Sequence, residues 1–303
     1  AYGYEKYGED FWKKVTNDAV SFRGLFYPFN RAIERYSGKT YKQFRDDAIK
    51  YFKDKSLPRQ TTQASPYTYL TPVRKNNVVD YQFPNYISDD SILVTKRSYK
   101  AVNAFYLLVK EKEKRIRVRD YAIDDYYSYR NGKIVYASYQ SDPRWANRDY
   151  SVIQLLDIHS GLQRQVTFRS KYFSPDINAA GNELLAVNVN TNGTNNLHRL
   201  DASTGKLIGQ VPNPRNYFFT QTKYINGNTA VSAARNPQGN MVLITVDLTT
   251  GATYNLTPFS FNVIGYPFVK GDTVYFTAMH DNADKVFAIT LSDKKIYKLT
   301  SNI

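Results

Sequence analysis

Cysteine is absent from the 303 residues, which excludes disulfide bonds and cysteine-ligated metals but leaves the compartment open. Histidine is almost absent. His159, His198 and His280 stand far apart, and none has a second histidine three or four residues on. A zinc shell needs several such ligands converging on one point, so no metal site and no cofactor are expected. No apolar run reaches the ~18 residues of a membrane-crossing helix. Neither Gly-x-Ser-x-Gly nor Gly-x-x-x-x-Gly-Lys-Ser/Thr occurs, which removes the nucleophile elbow and the phosphate-cradling loop. The paired acids Asp89-Asp90 and Asp124-Asp125 fall at turns or strand starts, where turn chemistry explains them without acid–base work. The chain opens AYGYEKYGED, with no initiator Met and no charged-then-apolar leader, so a mature, trimmed or partial chain is expected.

What is present is aromatic and basic. There are 27 Tyr and 17 Phe against 2 Trp and 2 Met, an excess that favours pleated, half-buried surfaces. Hydrophobic residues make up 42% and charged residues 22%, a balance that suits a folded chain. The net charge is +14, and half of it sits in one stretch: residues 96–119 carry 9 Lys+Arg against 2 Asp+Glu. A nucleic-acid surface is usually broader, so this stretch reads as a solvated hairpin and nucleic acid is disfavoured as a partner.

Two periods divide the chain. Over residues 1–57 the apolar spacing is helical. Tyr7, Phe11, Trp12, Val15 and Ala19 line one face of a first helix. A second is expected over PFNRAIERY, with Pro28 in its first turn and Gly38 past its end. A third starts at Thr40, where Thr40 and Gln43 make a capping-box pattern and Phe44, Ala48, Ile49 and Phe52 form a stripe. Residues 58–77, rich in Pro, Thr, Ser and Gln near their start, read as a linker.

From residue 78 to 303 the chain repeats. One anchor is a strand, a tight turn and a short strand: LLDIHSGLQRQVT, HRLDASTGKLIGQV, ITVDLTTGATYNLT and AITLSDKKIYKLT. A second is a hairpin turn before a β-rich run: NGKIVYAS, GNELLAVNV, NGNTAVSAA and GDTVYFTAM, with DDSILVTK as the first copy. Two anchors in constant order, five times, at a period in the forties, predict a mainly β fold. The architecture expected is a β-propeller of about five four-stranded blades behind a small helical segment. A β-sandwich would also give short strands, but not two phased anchors.

Ser174-Pro175-Asp176, Asp201-Ala-Ser-Thr-Gly205, Asp247-Leu-Thr-Thr-Gly251, Leu256-Thr257 and Leu299-Thr300 resemble the blade pattern of TolB-like propellers, also seen beside dipeptidyl-peptidase-type and tricorn-type proteases. YGEDFWKKV followed by SGKTYKQFRDDAI looks like the last helices of gluzincin peptidases, although the His-Glu-x-x-His of that family is missing. These resemblances imply the C-terminal part of a longer protein, in a bacterial periplasm or otherwise at the cell envelope. The TolB-like family usually closes with more than five blades. An open ring is therefore expected, the alternative being five closed blades with residues 58–77 sealing the seam.

The function expected is a non-catalytic binding scaffold for a protein or peptide. The alternatives are the accessory half of a zinc metallopeptidase and a glycan-binding module. Ligands of propellers usually meet the rim formed by the blade connections and the loops between second and third strands. The longest such loop, YQSDPRWANRD, carries Asp142, Arg144, Trp145, Arg148 and Asp149, and the loop of the last copy carries His280 and Asp281. An exposed Trp145 between two arginines would anchor a partner. A Trp145 folded onto the next blade would not.

Overall fold

The computed structural model describes residues 1–22, 24, 26–56, 69–71, 75–110, 112–145, 147–280 and 283–300. The chain divides into two compact units, residues 1–63 and 64–303.

Among its described residues the first unit holds four helices: α1 (Tyr2–Tyr7), α2 (Phe11–Val20), α3 (Pro28–Ser37) and α4 (Tyr41–Lys55). The first helical stretch is thus split in two. Gly8 closes α1 at φ 90°, a conformation that a helix cannot continue through, and α2 restarts after Asp10. Tyr7 still stacks on Phe11, with ring centroids 4.9 Å apart. The apolar centre joins Phe11, Val15, Ala32, Ile33 and Phe44. Thr40 and Gln43 form the capping box of α4. The stripe on α4 runs through Phe44, Ala48 and Tyr51, whereas Ile49 and Phe52 are exposed. Spacings of four and three keep one face inward, and Ile49 and Phe52 each lie one further residue round the helix.

The second unit is a five-bladed propeller of four-stranded antiparallel sheets. The blades are β1 (Val79–Ser88) to β4 (Lys112–Val118), β5 (Tyr127–Arg130) to β8 (Gln163–Gln165), β9 (Tyr172–Ile177) to β12 (Leu207–Gln210), β13 (Phe218–Tyr224) to β16 (Thr253–Asn255), and β17 (Ile264–Lys270) to β20 (Ile296–Lys298). Within each blade the strands pair in chain order, so the first strand lies at the axis and the fourth at the edge.

A blade alone would expose two apolar faces, and the ring buries them against each other. Leu93, Phe105, Tyr127, Ile134, Tyr136 and Leu156 join blades one and two. Val135, Ile153 and Leu155 meet Ile177, Leu184 and Ala186 between blades two and three. Comparable clusters join blade three to four and four to five. Among the described residues, blades five and one have no such shared cluster and meet at the axis instead, where the Phe83 and Tyr266 rings lie 5.5 Å apart. The stretch expected to seal this seam falls largely outside the described residues. Tyr69 and Leu70 line a cavity with Ile92 and Leu108 of blade one.

The repeating turn is built by its aspartate. Asp201 Oδ1 accepts from the amides of Ser203 (3.0 Å) and Thr204 (2.7 Å), and from both hydroxyls. Asp157 and Asp247 each accept from two amides and one hydroxyl in the same way. These bonds, first that of the Ser203 hydroxyl, hold the Asp201 carboxyl at about 2. Such a group holds a turn and is a poor general base at neutral pH. The turn glycines also let neighbouring blades approach. A Cβ on Gly205 would lie 2.1 Å from the Val166 carbonyl oxygen, and one on Gly251 would lie 2.1 Å from that of Pro212. Gly161, at a similar φ of 70°, has open space around it. Gly161→Ala is therefore expected to cost only its backbone strain, about 1 kcal/mol. Gly251→Ala should cost at least about 2 kcal/mol more, because two blades must separate. Paired denaturant melts of the two variants measure the difference, and equal midpoints would refute it.

The basic stretch is mostly solvated, with Lys112, Lys114, Arg115 and Arg117 exposed along the edge strand β4. Lys96 is half-buried and paired with Glu113. Arg119 is buried and donates to the carbonyls of Asp124 (3.0 Å), Asp125 and Tyr126 (3.3 Å), so it shapes the crossing from blade one to blade two.

Candidate functional site

The rim loop of blade two is a built turn. Asp142 Oδ1 accepts from the amides of Arg144 (2.9 Å) and Trp145 (3.3 Å), and its Oδ2 accepts from the Tyr150 hydroxyl at 2.9 Å. These bonds, first that of the Arg144 amide, hold the Asp142 carboxyl below its ordinary range. Arg148 closes the turn onto the Trp145 carbonyl at 2.9 Å and lies over the Tyr150 ring. Asp149 accepts from the Tyr139 hydroxyl at 2.5 Å. Asp142 and Asp149 therefore hold the loop's shape, while Arg144 and Trp145 stand outside it. Trp145 is 65% exposed and does not fold onto the next blade. His280 ends β18 (Thr273–His280) in blade five, so it shares no loop with the residues of blade two. Asp281 lies outside the described residues.

The same rim carries more apolar surface than the sequence reading anticipated. Tyr99, Tyr121, Ile123, Phe168 and Phe261 are all exposed. Each lies in a blade connection or a loop between second and third strands.

A second site lies on the axis. The inner strands place equivalent residues there, fixed by their partners in the second strands: Asn85↔Leu93, Ser128↔Val135, Asp176↔Leu185, Lys223↔Val231 and Phe268↔Tyr275. Two residues before each stand Phe83, Tyr126, Ser174, Gln221 and Tyr266. In four of the five strands this residue is left-handed, with φ between 45° and 53°, at a β-bulge that turns the strand inward.

Lys223 is 7% exposed and Asp176 2%. The Lys223 ammonium donates to Ser128 Oγ, sits 3.8 Å from Asp176 Oδ1 and lies 4.3 Å from the centre of the Tyr126 ring. Asp176 Oδ2 accepts from the Tyr224 amide at 2.7 Å and lies 3.8 Å from Arg130 Nη2. Burial pushes the Lys223 ammonium down to about 8. Asp176 opposes that shift and Arg130 adds to it.

On one side of Lys223 the channel is plugged. Phe83, Tyr126 and Tyr266 pack together with centroids 5.4–5.7 Å apart, and the Tyr126 hydroxyl donates to the Pro267 carbonyl at 2.9 Å. Towards the inner hairpin turns it opens into a cavity of about 510 Å³, lined by residues of all five blades. This mouth is opposite to the rim loops, because the inner strands run from the rim towards it. Sequence reasoning missed it. Lys223 and Asp176 are 47 residues apart, and only the ring brings them together. The usable signal was the X-Pro-X at 83–85, 174–176 and 266–268, at one register in three blades.

Among the described residues, no group of three or more His, Asp or Glu side chains is placed to hold a metal ion. No helix among them is long and apolar enough to cross a membrane.

The fold is that of a TolB-like propeller. TolB from Acinetobacter baumannii superposes with a TM-score of 0.55 at 14% identity, over 70% of this chain and 52% of that one. A puromycin hydrolase superposes at 0.50 with 11% identity, over 77% of this chain and 39% of that one. At these identities the likeness is one of fold. The chain spans about half the length of the first and about two fifths of the second. No family model and no curated protein matches the sequence.

Proposed function

We propose that the propeller is a non-catalytic docking module whose rim binds a protein or peptide partner. The observation that carries this reading is the apolar rim: Tyr99, Tyr121, Ile123, Trp145, Phe168 and Phe261 are exposed on one end of the ring. Exposed aromatics on the loops of one rim, above all a Trp beside arginines, are the side chains that dominate protein contacts. The resemblance to TolB-like propellers supports a place in a bacterial cell envelope. The helical unit's resemblance to the last gluzincin helices supports a parent protein in which this module steers substrate to a peptidase domain outside this chain.

The test replaces Trp145 or Tyr99 by a photo-crosslinking amino acid in cells that express the protein. Tyr254, exposed on the edge strand β16, is the control position. A discrete protein adduct is expected from the rim positions and none from the control. With that partner purified, Trp145→Ala should weaken binding at least about tenfold, the loss of one central aromatic anchor. Adducts of equal yield at all three positions, or an affinity indifferent to Trp145, would remove the rim from the function.

A further inference from the structure

From the axial cavity we infer that the propeller has a second ligand site, independent of the rim, which takes a small organic anion. Its carboxylate or phosphate docks on Arg130, and its organic body fills the recess beside it.

The argument begins with charge. The charged residues lining the cavity are Arg130, Asp176 and Lys223, two cations against one carboxylate. Asp124, the next carboxylate, is outside that lining and already accepts from the Tyr126 amide (2.9 Å) and the Ser174 hydroxyl (3.1 Å). The lining therefore carries one more positive than negative charge. Lys223 spends its donors on Ser128 and the Tyr127 carbonyl. Arg130 does not. Among the described residues it is held only through Nη2, to the Tyr224 carbonyl at 3.4 Å and to Asp176 at 3.8 Å. Its Nε and Nη1 have no protein acceptor there. A guanidinium with one edge unused, on the wall of a closed-ended recess, matches the fork of a carboxylate or phosphate.

Shape narrows the ligand. The aromatic plug of Phe83, Tyr126 and Tyr266 stops the recess at one end, so a chain cannot thread through. The volume of about 510 Å³ suits a small molecule. Phe268, Ile87, Ile225 and Val269 share the lining with a larger polar surface, to which Asn85 and Asn131 belong, so a bare inorganic ion would leave part of the recess unfilled.

Calorimetric titration of the full chain with phenylacetate, phenyl phosphate and neutral phenylacetamide tests the proposal. At least one anion is expected to bind, and the amide at least about tenfold more weakly. The tighter of the two anions assigns the head group. Arg130→Gln should weaken the anion at least about tenfold, and Arg130→Lys should retain part of the affinity. Thermal melts confirm that both variants fold. Trp145→Ala should leave the anion's affinity unchanged, which separates this site from the rim. Equal binding of the amide, full affinity in Arg130→Gln, or a Kd weaker than about 10 mM for both anions would overturn the inference.

Discussion

Asp176→Ala is expected to lower the stability of the propeller by about 3–5 kcal/mol, the cost of leaving a buried charge unpaired. Removing the carboxylate strands the Lys223 ammonium, leaves Arg130 without its counter-ion and deprives the Tyr224 amide of its acceptor. The loss is not the worth of the ion pair, because taking both charges out of water is itself costly. The double variant Asp176→Leu with Lys223→Met removes the stranded ammonium and should therefore recover part of the stability, while the Tyr224 amide stays without its acceptor. Urea unfolding, followed by the β-sheet circular dichroism signal, measures both. A single variant costing under about 1 kcal/mol would mean that water reaches the pair and that the axis is not a low-dielectric site.

Lys223 also gives this region a pH signature of predictable sign. Its ammonium titrates at about 8 when folded and near 10.5 when unfolded. Between those values the unfolded chain binds more protons, so stability contributed by this group rises with pH across that window. Below about 8 both states are protonated and the penalty of burying the charge is fully present. Lys223→Met should remove this rise. Wild-type and variant unfolding free energies compared at pH 7 and pH 10 provide the check, and parallel profiles would disprove the assignment.

The parts of the fold that were legible in the sequence are those fixed by local chemistry. The turn glycines at 161, 205 and 251 follow aspartates whose side chains cap the turn, so strand, turn and strand could be read from a few residues. The Thr40–Gln43 box is equally local. What failed was what depends on a neighbour. Tyr7 and Phe11 share a face whether or not the helix is continuous, so the break at Gly8 left no trace in the periodicity. Ile49 and Phe52 fit an apolar stripe about as well as Tyr51 does, and only packing against α1 and α2 decides between them. The rim loops could be located by their variability, but Trp145 could not be placed inside or outside without its surroundings. The axial ring was the least accessible. Asn85, Ser128, Asp176 and Lys223 share a register but not a residue type, and repeat analysis looks for recurring types.

Tyr126→Ala should destabilise the propeller by about 3–5 kcal/mol, as deletion of a buried aromatic ring does. The side chain does more than fill space. Its ring meets Phe83 of blade one and Tyr266 of blade five, and its hydroxyl reaches the Pro267 carbonyl of blade five. It thus ties three blades at the place where, among the described residues, no apolar cluster joins blades five and one. Tyr126→Phe separates the two contributions. It keeps the ring and should cost about 1 kcal/mol, the price of an unmet carbonyl. If the hydroxyl were the main tie, the two variants would lose similar amounts. The alanine variant carries a second, independent signature. The plug that keeps water from that side would be gone, and rehydration of the Lys223 ammonium should outweigh the loss of the ring 4.3 Å from it. Its folded proton affinity should then return towards 10.5, and the rise in stability between pH 8 and 10.5 should flatten. A variant that is destabilised yet keeps the full pH dependence would show that Tyr126 supports the ring without sealing the axis.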